Sequence, residues 1–217
     1  MIKLNKNEIF YLMRILNDEK LTLEQQRDNI VEYLEDRLNL ENAKQKGSNV
    51  KKQYTEAKKF LKNISKTRPI LKYTDYQYDN CQIFTDSFVL FKMKNHIEGL
   101  PYHNNEHGIY PDIREFMPRK ENMICITNLF NYTDILNKCD ELKINKIKFP
   151  KEEKYLINLN GAYLNPKYVK LVIDILCDDI NNIEVYFKGD MRPVLFTNSK
   201  GDEAIICPIR ISQKLKN

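Results

Sequence analysis

The spacing of apolar residues changes partway along this 217-residue chain, and that change limits its fold more than any other feature. In the first third, apolar residues recur three or four positions apart, which predicts amphipathic helices over 5–17, 23–46 and 49–66. Beyond Pro69, short apolar runs bounded by turn residues predict strands, with two further helices over 128–142 and 166–176. The elements do not repeat as βαβ units with glycine-rich loops. The pattern therefore predicts an α+β fold rather than a doubly wound nucleotide-binding one.

The strand-rich part is expected to begin with a hairpin whose arms are 70–78 and 81–93, joined by a turn at 79–80. The further predicted strands are 123–127, 144–149, 155–159, 183–188, 193–198 and 204–211.

Composition places the chain among soluble proteins of a reducing compartment. Its five cysteines are widely spaced, without a CxxC pair, and all but Cys177 have apolar neighbours, which predicts reduced core thiols and a cytoplasmic location. The N-terminus lacks the apolar core of a signal peptide, and no stretch approaches the roughly 20 apolar residues of a membrane span. A formal net charge of +5 permits nucleic-acid binding without requiring it.

The helix over 49–66 combines an apolar stripe with a lysine-rich side. The stripe consists of Val50, Tyr54, Ala57, Leu61 and Ile64. Five lysines project well away from it at 100° per residue: Lys51, Lys58, Lys59, Lys62 and Lys66. The side could lie across nucleic-acid phosphates, or it could be an ordinary solvated face.

The helix over 23–46 is polar and highly charged, and Gly47 and Ser48 end it. It is interpreted as a helical insertion or partner-binding arm over 21–47; the alternative is a surface helix packed along one stripe. In this division, 1–20 is an N-terminal helix belonging to the main domain, and 48–217 is the main domain itself.

The common catalytic and phosphate-binding motifs are absent from the sequence. The only hint of a reactive site is a loop that carries His96, His103, Glu106 and His107. Its asparagines, glycines and proline argue against the helix that would bring His103 and His107 onto one metal. We therefore predict no catalytic residues, no metal and no cofactor.

Four short segments, in order, resemble bacterial DNA sliding clamps, the beta subunit of DNA polymerase III. Residues 84–90 (FTDSFVL) resemble the clamp segment ATDGHRL, and 110–118 (YPDIREFMP) resemble FPDYRRVLP. Residues 165–170 (NPKYVK) resemble the start of a clamp helix, and 192–211 resemble the two closing strands. Ser87, Phe88 and Val89 replace the glycine, histidine and arginine of the first segment. The resemblance covers 51–211, enough for one clamp domain plus extras, as in a shortened phage-type protein.

The resemblance implies a DNA-clamp-like domain with helices on one face of antiparallel sheets. The helices 49–66 and 166–176 would face double-stranded DNA and bind it without sequence preference. The implied DNA-binding residues are Lys51, Lys58, Lys59, Lys62, Lys66, Lys167 and Lys170.

A pocket for partner peptides is also implied by the resemblance. The residues carried over to it are Thr85, Ser87, Phe88, Leu90, Pro118, Cys207 and Pro208, for which the alternative is plain core packing.

Three functions are consistent with this sequence. The first is a non-catalytic clamp-like factor of DNA replication that binds DNA, recruits replication or host proteins and forms homo-oligomers. The second is a clamp-fold interaction module, a mimic or inhibitor of a host factor, that does not encircle DNA. The third is an enzyme built on the histidine loop.

Overall fold

The computed structural model describes residues 4–64, 67–77, 80–104, 108–114, 116–121, 123–127, 131–176, 182–189 and 191–211. Its α-helices are α1 Lys6–Leu16, α2 Leu23–Gln45, α3 Ser48–Lys62, α4 Tyr132–Ile144 and α5 Pro166–Leu176. Its strands are β1 Asp75–Gln77, β2 Cys81–Thr85, β3 Val89–Met93, β4 Ile124–Ile126, β5 Ile157–Leu159, β6 Ala162–Leu164, β7 Glu184–Phe187, β8 Val194–Thr197 and β9 Glu203–Ile206. Short 3-10 turns occur at Pro69–Lys72 and Glu153–Tyr155.

The main sheet has seven strands in the order β1-β2-β3-β9-β8-β7-β4, and every neighbouring pair is antiparallel. β5 and β6 form a separate hairpin. The central strands β2, β8 and β9 are buried along most of their length, as expected of strands covered on both faces. Mixed helices and antiparallel sheet confirm the predicted α+β class.

Aromatic packing places the helices on one face of this sheet. Phe84 of β2 and Phe91 of β3 are register partners with stacked rings 4.8 Å apart. Phe60 of α3 lies over both, with ring centroids 6.2 Å and 5.8 Å away. α5 packs beside α3, and the side chain of Gln53 donates to the carbonyl of Ile175 across their interface (2.7 Å). Neighbouring contacts give the helix layer the order α2-α3-α5-α4.

The opposite face of the sheet is covered by an irregular segment around 108–121. Gln77 at the edge strand β1 holds this segment: its Nε2 donates to the carbonyl of Pro111 (3.0 Å), and its Oε1 accepts from the amide of Ile113 (3.2 Å). Ile113 is 1% exposed and belongs to the main core. Gln77 thus supplies side-chain partners for two backbone groups of a segment that has no strand pairing.

The N-terminal helices are well capped but loosely attached to the core. A capping box between Asn5 and Glu8 starts α1, and one between Thr22 and Gln25 starts α2. From α2 only Leu40 and Ala43 join the main hydrophobic cluster, and no described residue of α1 does. Near Leu40, Gly99 has φ +79°, and a Cβ there would lie 2.4 Å from Cγ of Asn39, so glycine permits the close approach of this loop to α2.

Several predicted elements are corrected. Residues 81–93 form two strands, because a turn at 86–88 separates β2 from β3. The predicted strand 144–149 is wrong. Lys146 takes φ +53° and the amide of Ile147 donates to the carbonyl of Leu142 (2.8 Å), so this stretch is the end of α4. β6 was not predicted, and β9 ends at Ile206, short of the expected 211.

Two cysteines also depart from expectation. Cys125 and Cys207 are exposed, whereas Cys81 and Cys139 are buried as core thiols. Cys125 lies on the edge strand β4, and Cys207 follows the end of β9, where the chain leaves the sheet. Cys177 lies outside the described residues.

A buried carboxylate joins three of the helices. Asp174 of α5 has no exposed side-chain surface and accepts from Tyr132 Oη of α4 (2.7 Å) and from Lys52 Nζ of α3 (2.6 Å). It also pairs with Lys170 one turn earlier on α5. Burial alone would raise the pKa of Asp174, but the hydrogen bonds from Lys170, Lys52 and Tyr132 outweigh it and hold that pKa below its ordinary value.

Asp174→Asn should therefore lower the free energy of unfolding by about 3 kcal/mol at neutral pH. This value is at the lower end of the range for breaking a buried ion pair, because Lys52 and Lys170 both remain partly exposed. Because the folded-state pKa of Asp174 is depressed, its contribution is present above the unfolded pKa of about 3.9 and is lost as pH falls through the folded value. Denaturant titrations across that acidic range should show a weaker pH dependence in the variant.

The matched control is Asp140→Asn, which removes an exposed carboxylate paired with Lys143 on α4. It should leave stability nearly unchanged, as exposed pairs contribute little. Equal effects of the two substitutions would contradict the role assigned to Asp174.

Candidate functional site

The turn between β2 and β3 is fixed by its own side chains. Thr85 Oγ1 accepts from the amide of Ser87 (2.9 Å) and donates to the carbonyl of Val89 (2.7 Å). Asp86 Oδ1 accepts from the amides of Phe88 (2.8 Å) and Val89 (2.9 Å). The turn is thereby held although Ser87 has φ +80°, a left-handed conformation unusual for serine.

Two groups from the helix side brace the same turn. Arg68 Nη1 donates to Ser87 Oγ (2.6 Å), and Tyr168 Oη of α5 donates to Asp86 Oδ2 (2.9 Å). Burial and the nearby Asp86 carboxylate raise the pKa of Tyr168, so its hydroxyl stays protonated and remains a donor. The result is that Phe88, at the tip, projects outward with 53% of its surface exposed.

An open groove of about 670 Å³ lies beside this turn, on the sheet face opposite the helices. We name it the sheet-face groove. Six of the seven residues predicted for partner binding line it: Thr85, Ser87, Phe88, Leu90, Pro118 and Cys207. Pro208 is not among the lining residues. The groove is lined on one side by β2, β3 and the end of β9, and on the other by described residues between 111 and 123.

The lining of the sheet-face groove is apolar with a charged rim. Its other apolar residues include Ile113, Phe116, Met117, Met123 and Ile205. Phe116 is 60% exposed, so part of this apolar surface faces solvent. Arg119, Lys188 and Arg192 at the rim outnumber Glu121, which makes the rim positive.

A second groove of about 750 Å³ lies on the helix side, between the ends of α3, α4 and α5. We name it the helix-face groove. Its apolar lining includes Phe60, Leu136, Phe149 and Leu171, and its cations are Lys59, Arg68, Lys143, Lys167 and Lys170, against two acids, Glu56 and Asp86. Phe88 lines both grooves, so the two meet at the β2–β3 turn. The sequence analysis missed Arg68 and Lys143, because neither lies on the helices 49–66 and 166–176 from which the DNA-binding residues were taken.

Two lysines of α3, Lys58 and Lys62, are paired with acidic residues of α2. Lys58 pairs with Asp36 of α2, and its side chain is only 16% exposed. Lys62 Nζ lies 3.4 Å from an Asp36 carboxylate oxygen and 3.9 Å from one of Glu32. The spacing predicts only that these lysines project away from the apolar stripe; in the structure they lie toward α2, which packs along this side of α3, and Lys62 keeps 58% of its side-chain surface exposed.

The remaining lysines predicted to bind DNA differ in their partners. Lys170 is engaged by the buried Asp174, and Lys59 lies 3.9 Å from Glu56 on its own helix. Lys167 Nζ donates to the carbonyl of Ile147 (3.2 Å). Within the described ranges, neither Lys51 nor Lys167 forms an ion pair. Lys66 lies outside the described residues.

The histidine loop does not assemble a reactive site from the residues that the structure describes. His103 is buried, its Nε2 lies 2.7 Å from the carbonyl of Gly108, and its ring packs on Tyr110. Nε2 of His96 lies 2.5 Å from the carbonyl of Asn80. Glu106 and His107 fall outside the described residues. In the searched part of the chain, no three histidine, cysteine or acidic residues are grouped as metal ligands.

No protein-family model and no curated protein matches this chain. Among solved structures, the chain is similar to the DNA polymerase sliding clamp of Bacillus subtilis, with 16% identity and a TM-score of 0.40. The match covers 73% of this chain and 63% of the clamp chain. In the part of the chain that the structure describes, no helix has the length and apolar character to span a membrane.

Two substitutions in the β2–β3 turn should differ in their effect on stability. Asp86→Ala removes the acceptor of two backbone amides and of Tyr168, so it should lower the free energy of unfolding by about 1–3 kcal/mol. Ser87→Gly relieves the positive φ but removes the hydroxyl that accepts from Arg68, so these effects should largely cancel and leave the free energy of unfolding within about 1 kcal/mol of the wild type. Denaturant midpoints measure both, and a stabilised Asp86→Ala protein would contradict the bracing assigned to this carboxylate.

Proposed function

We propose that this chain is a non-catalytic interaction module of the sliding-clamp type, which holds a short peptide of a partner protein in the sheet-face groove. The observation that carries the proposal is the convergence of Thr85, Phe88, Leu90, Pro118 and Cys207 on one open groove. These residues come from three separate parts of the chain. An apolar groove with a few polar groups at its edge is the usual form of a peptide-binding site.

The groove's chemistry defines the peptide it should take. Exposed Phe88 and Phe116 offer aromatic surface to apolar side chains of a partner. The rim cations Arg119, Lys188 and Arg192 favour an acidic side chain next to those apolar ones. A peptide that passes over Phe88 would reach the helix-face groove, where a second set of cations lines an apolar floor.

This proposal predicts that short random peptides selected on the wild-type protein will combine an acidic residue with neighbouring aliphatic or aromatic residues. Phe88→Ala should weaken the best selected peptide by about tenfold or more, as expected for truncating an exposed aromatic anchor. Arg192→Glu should weaken peptides with acidic residues more than variants of the same peptides in which those residues are neutral. Titration calorimetry or fluorescence anisotropy measures each affinity.

The control is Tyr102→Ala, which removes a similarly exposed aromatic ring (54%) that does not line either groove. It should leave peptide affinity unchanged. If Phe88→Ala and Tyr102→Ala bound the selected peptides equally well, the sheet-face groove would not be their site.

We further propose that the helix layer binds double-stranded DNA weakly and without sequence preference. α3 and α5 lie side by side, and Lys51, Lys59 and Lys167 remain available from them in solvent-facing or partly exposed positions. The pairing of Lys58, Lys62 and Lys170 with acids supports a lower affinity than seven free lysines would give. The same proposal includes a cytoplasmic role in DNA replication, with a homo-oligomer around DNA. The alternative is a mimic or inhibitor of a host factor that does not encircle DNA. The division of the chain into 1–20, 21–47 and 48–217 also belongs to this proposal.

Lys59→Glu combined with Lys167→Glu should abolish binding to a short DNA duplex of mixed sequence at low salt, because it replaces two phosphate-neutralising amines with repelling carboxylates. The charge-matched control, Lys20→Glu with Lys200→Glu, lies outside α3 and α5 and should retain most of the affinity. Fluorescence anisotropy at several salt concentrations measures both. An equal loss in the two double variants would indicate a net-charge effect and no helix-layer site.

A further inference from the structure

The long helix α2 carries a stripe of acids along one side. Glu24, Asp28, Glu32 and Asp36 recur every four residues and so lie on neighbouring turns of the same helix face. Over its length α2 has six acidic residues against three basic ones. A row of carboxylates at this spacing presents anionic groups one helical turn apart, about 6 Å in the direction of the axis.

The two ends of this stripe have different partners. Glu24 and Asp28 both pair with Arg27 of α2 itself, at 3.9 Å and 3.0 Å. Glu32 and Asp36 instead reach α3, where Asp36 pairs with Lys58 and Lys62 and Glu32 with Lys62. Lys58 and Lys62 are two of the lysines that the resemblance to sliding clamps implies for DNA, and in the structure α2 carboxylates pair with both.

The attachment of this part of the chain to the body is mostly polar. We name α1 together with α2, Lys6–Leu16 and Leu23–Gln45, the α1–α2 arm. Large apolar residues of the arm remain exposed, among them Phe10 at 60% and Val31 and Leu38 at 46% each. The contacts that hold the arm are the pairs of Glu32 and Asp36 with α3 along its middle, and at its C-terminal end Ala43, which enters the core, and the adjacent Lys46, which pairs with Glu98 (2.6 Å). A segment with so few buried apolar contacts opens at low free-energy cost.

The arm also ends at a backbone position suited to a change of direction. Gly47, between α2 and α3, has φ +126°, and nothing lies within 4 Å of where a Cβ would be. A glycine between two helices is the kind of position at which hinge motions change the backbone angles.

We propose that the α1–α2 arm is an autoinhibitory element, in which Glu32 and Asp36 hold Lys58 and Lys62 of α3 in place of DNA phosphates. The inference rests on the proposed DNA binding of the helix layer. Docking of the arm removes two cations from that layer and places two carboxylates beside it. Release of the arm frees both amines, so DNA and the docked arm compete for the same groups.

The test uses the full chain and a short DNA duplex of mixed sequence. Glu32→Gln with Asp36→Asn should bind this duplex about tenfold more tightly at low salt. The slope of log affinity against log salt should steepen by about 1.8, as for two further phosphate contacts. Glu24→Gln with Asp28→Asn makes the same change in net charge without touching α3, and should leave affinity near that of the wild type. Adding Lys58→Gln and Lys62→Gln to the first variant should cancel its gain.

Equal DNA affinity of the two acid-to-amide variants would overturn the autoinhibitory role and leave helix-layer binding standing. No DNA affinity in any variant would overturn both, while peptide capture in the sheet-face groove, measured separately, would be unaffected.

Hydrogen exchange of the wild-type protein supplies a readout that does not depend on folding of the variants. Saturating duplex should lower the protection of the α2 amides while that of α5 is kept or raised. Bound DNA with unchanged α2 protection would overturn the proposal.

Discussion

The packing of Phe60 against Phe84 and Phe91 is the contact on which the rest of the structure depends. It joins α3 to two strands that are neighbours in the sheet, and the three rings lie within 6.2 Å of one another. Because this contact places the helices on one face of the sheet, the irregular segment around 108–121 packs on the other face. The sheet-face groove is lined by residues of the sheet and of that segment.

The β2–β3 turn connects the two faces. Its tip residue Phe88 lines both grooves, and its backbone is held by Asp86 from within and by Arg68 and Tyr168 from the helix side. Loops that are rigidly held on a scaffold are common places for binding residues. The left-handed conformation of Ser87 agrees with a rigidly held turn, because a strained backbone conformation persists only where the surrounding contacts hold it in place.

Charge pairing decides how the helix layer can act. Asp174 gathers Lys52 and Lys170 at the centre of the layer, and α2 takes up Lys58 and Lys62 at its side. An amine that is already paired contributes less to phosphate binding, because the pair must be broken first. The DNA affinity proposed for the layer is therefore lower than its lysine count implies, and of the two proposed sites the apolar sheet-face groove has the stronger structural support.

The sequence by itself determined the α+β class, the positions of the five helices and most of the strands, because helix and strand periodicities are local properties. Its resemblance to sliding clamps also selected Thr85, Ser87, Phe88, Leu90, Pro118 and Cys207, which the structure brings together in one groove. Only the tertiary structure decided which partner each lysine has. The pairing of Lys58 with Asp36 joins residues on different helices, and the helical repeat of α3 carries no information about the helix packed beside it. The same holds for Arg68 and Lys143, which reach the helix-face groove through contacts between segments far apart in the chain.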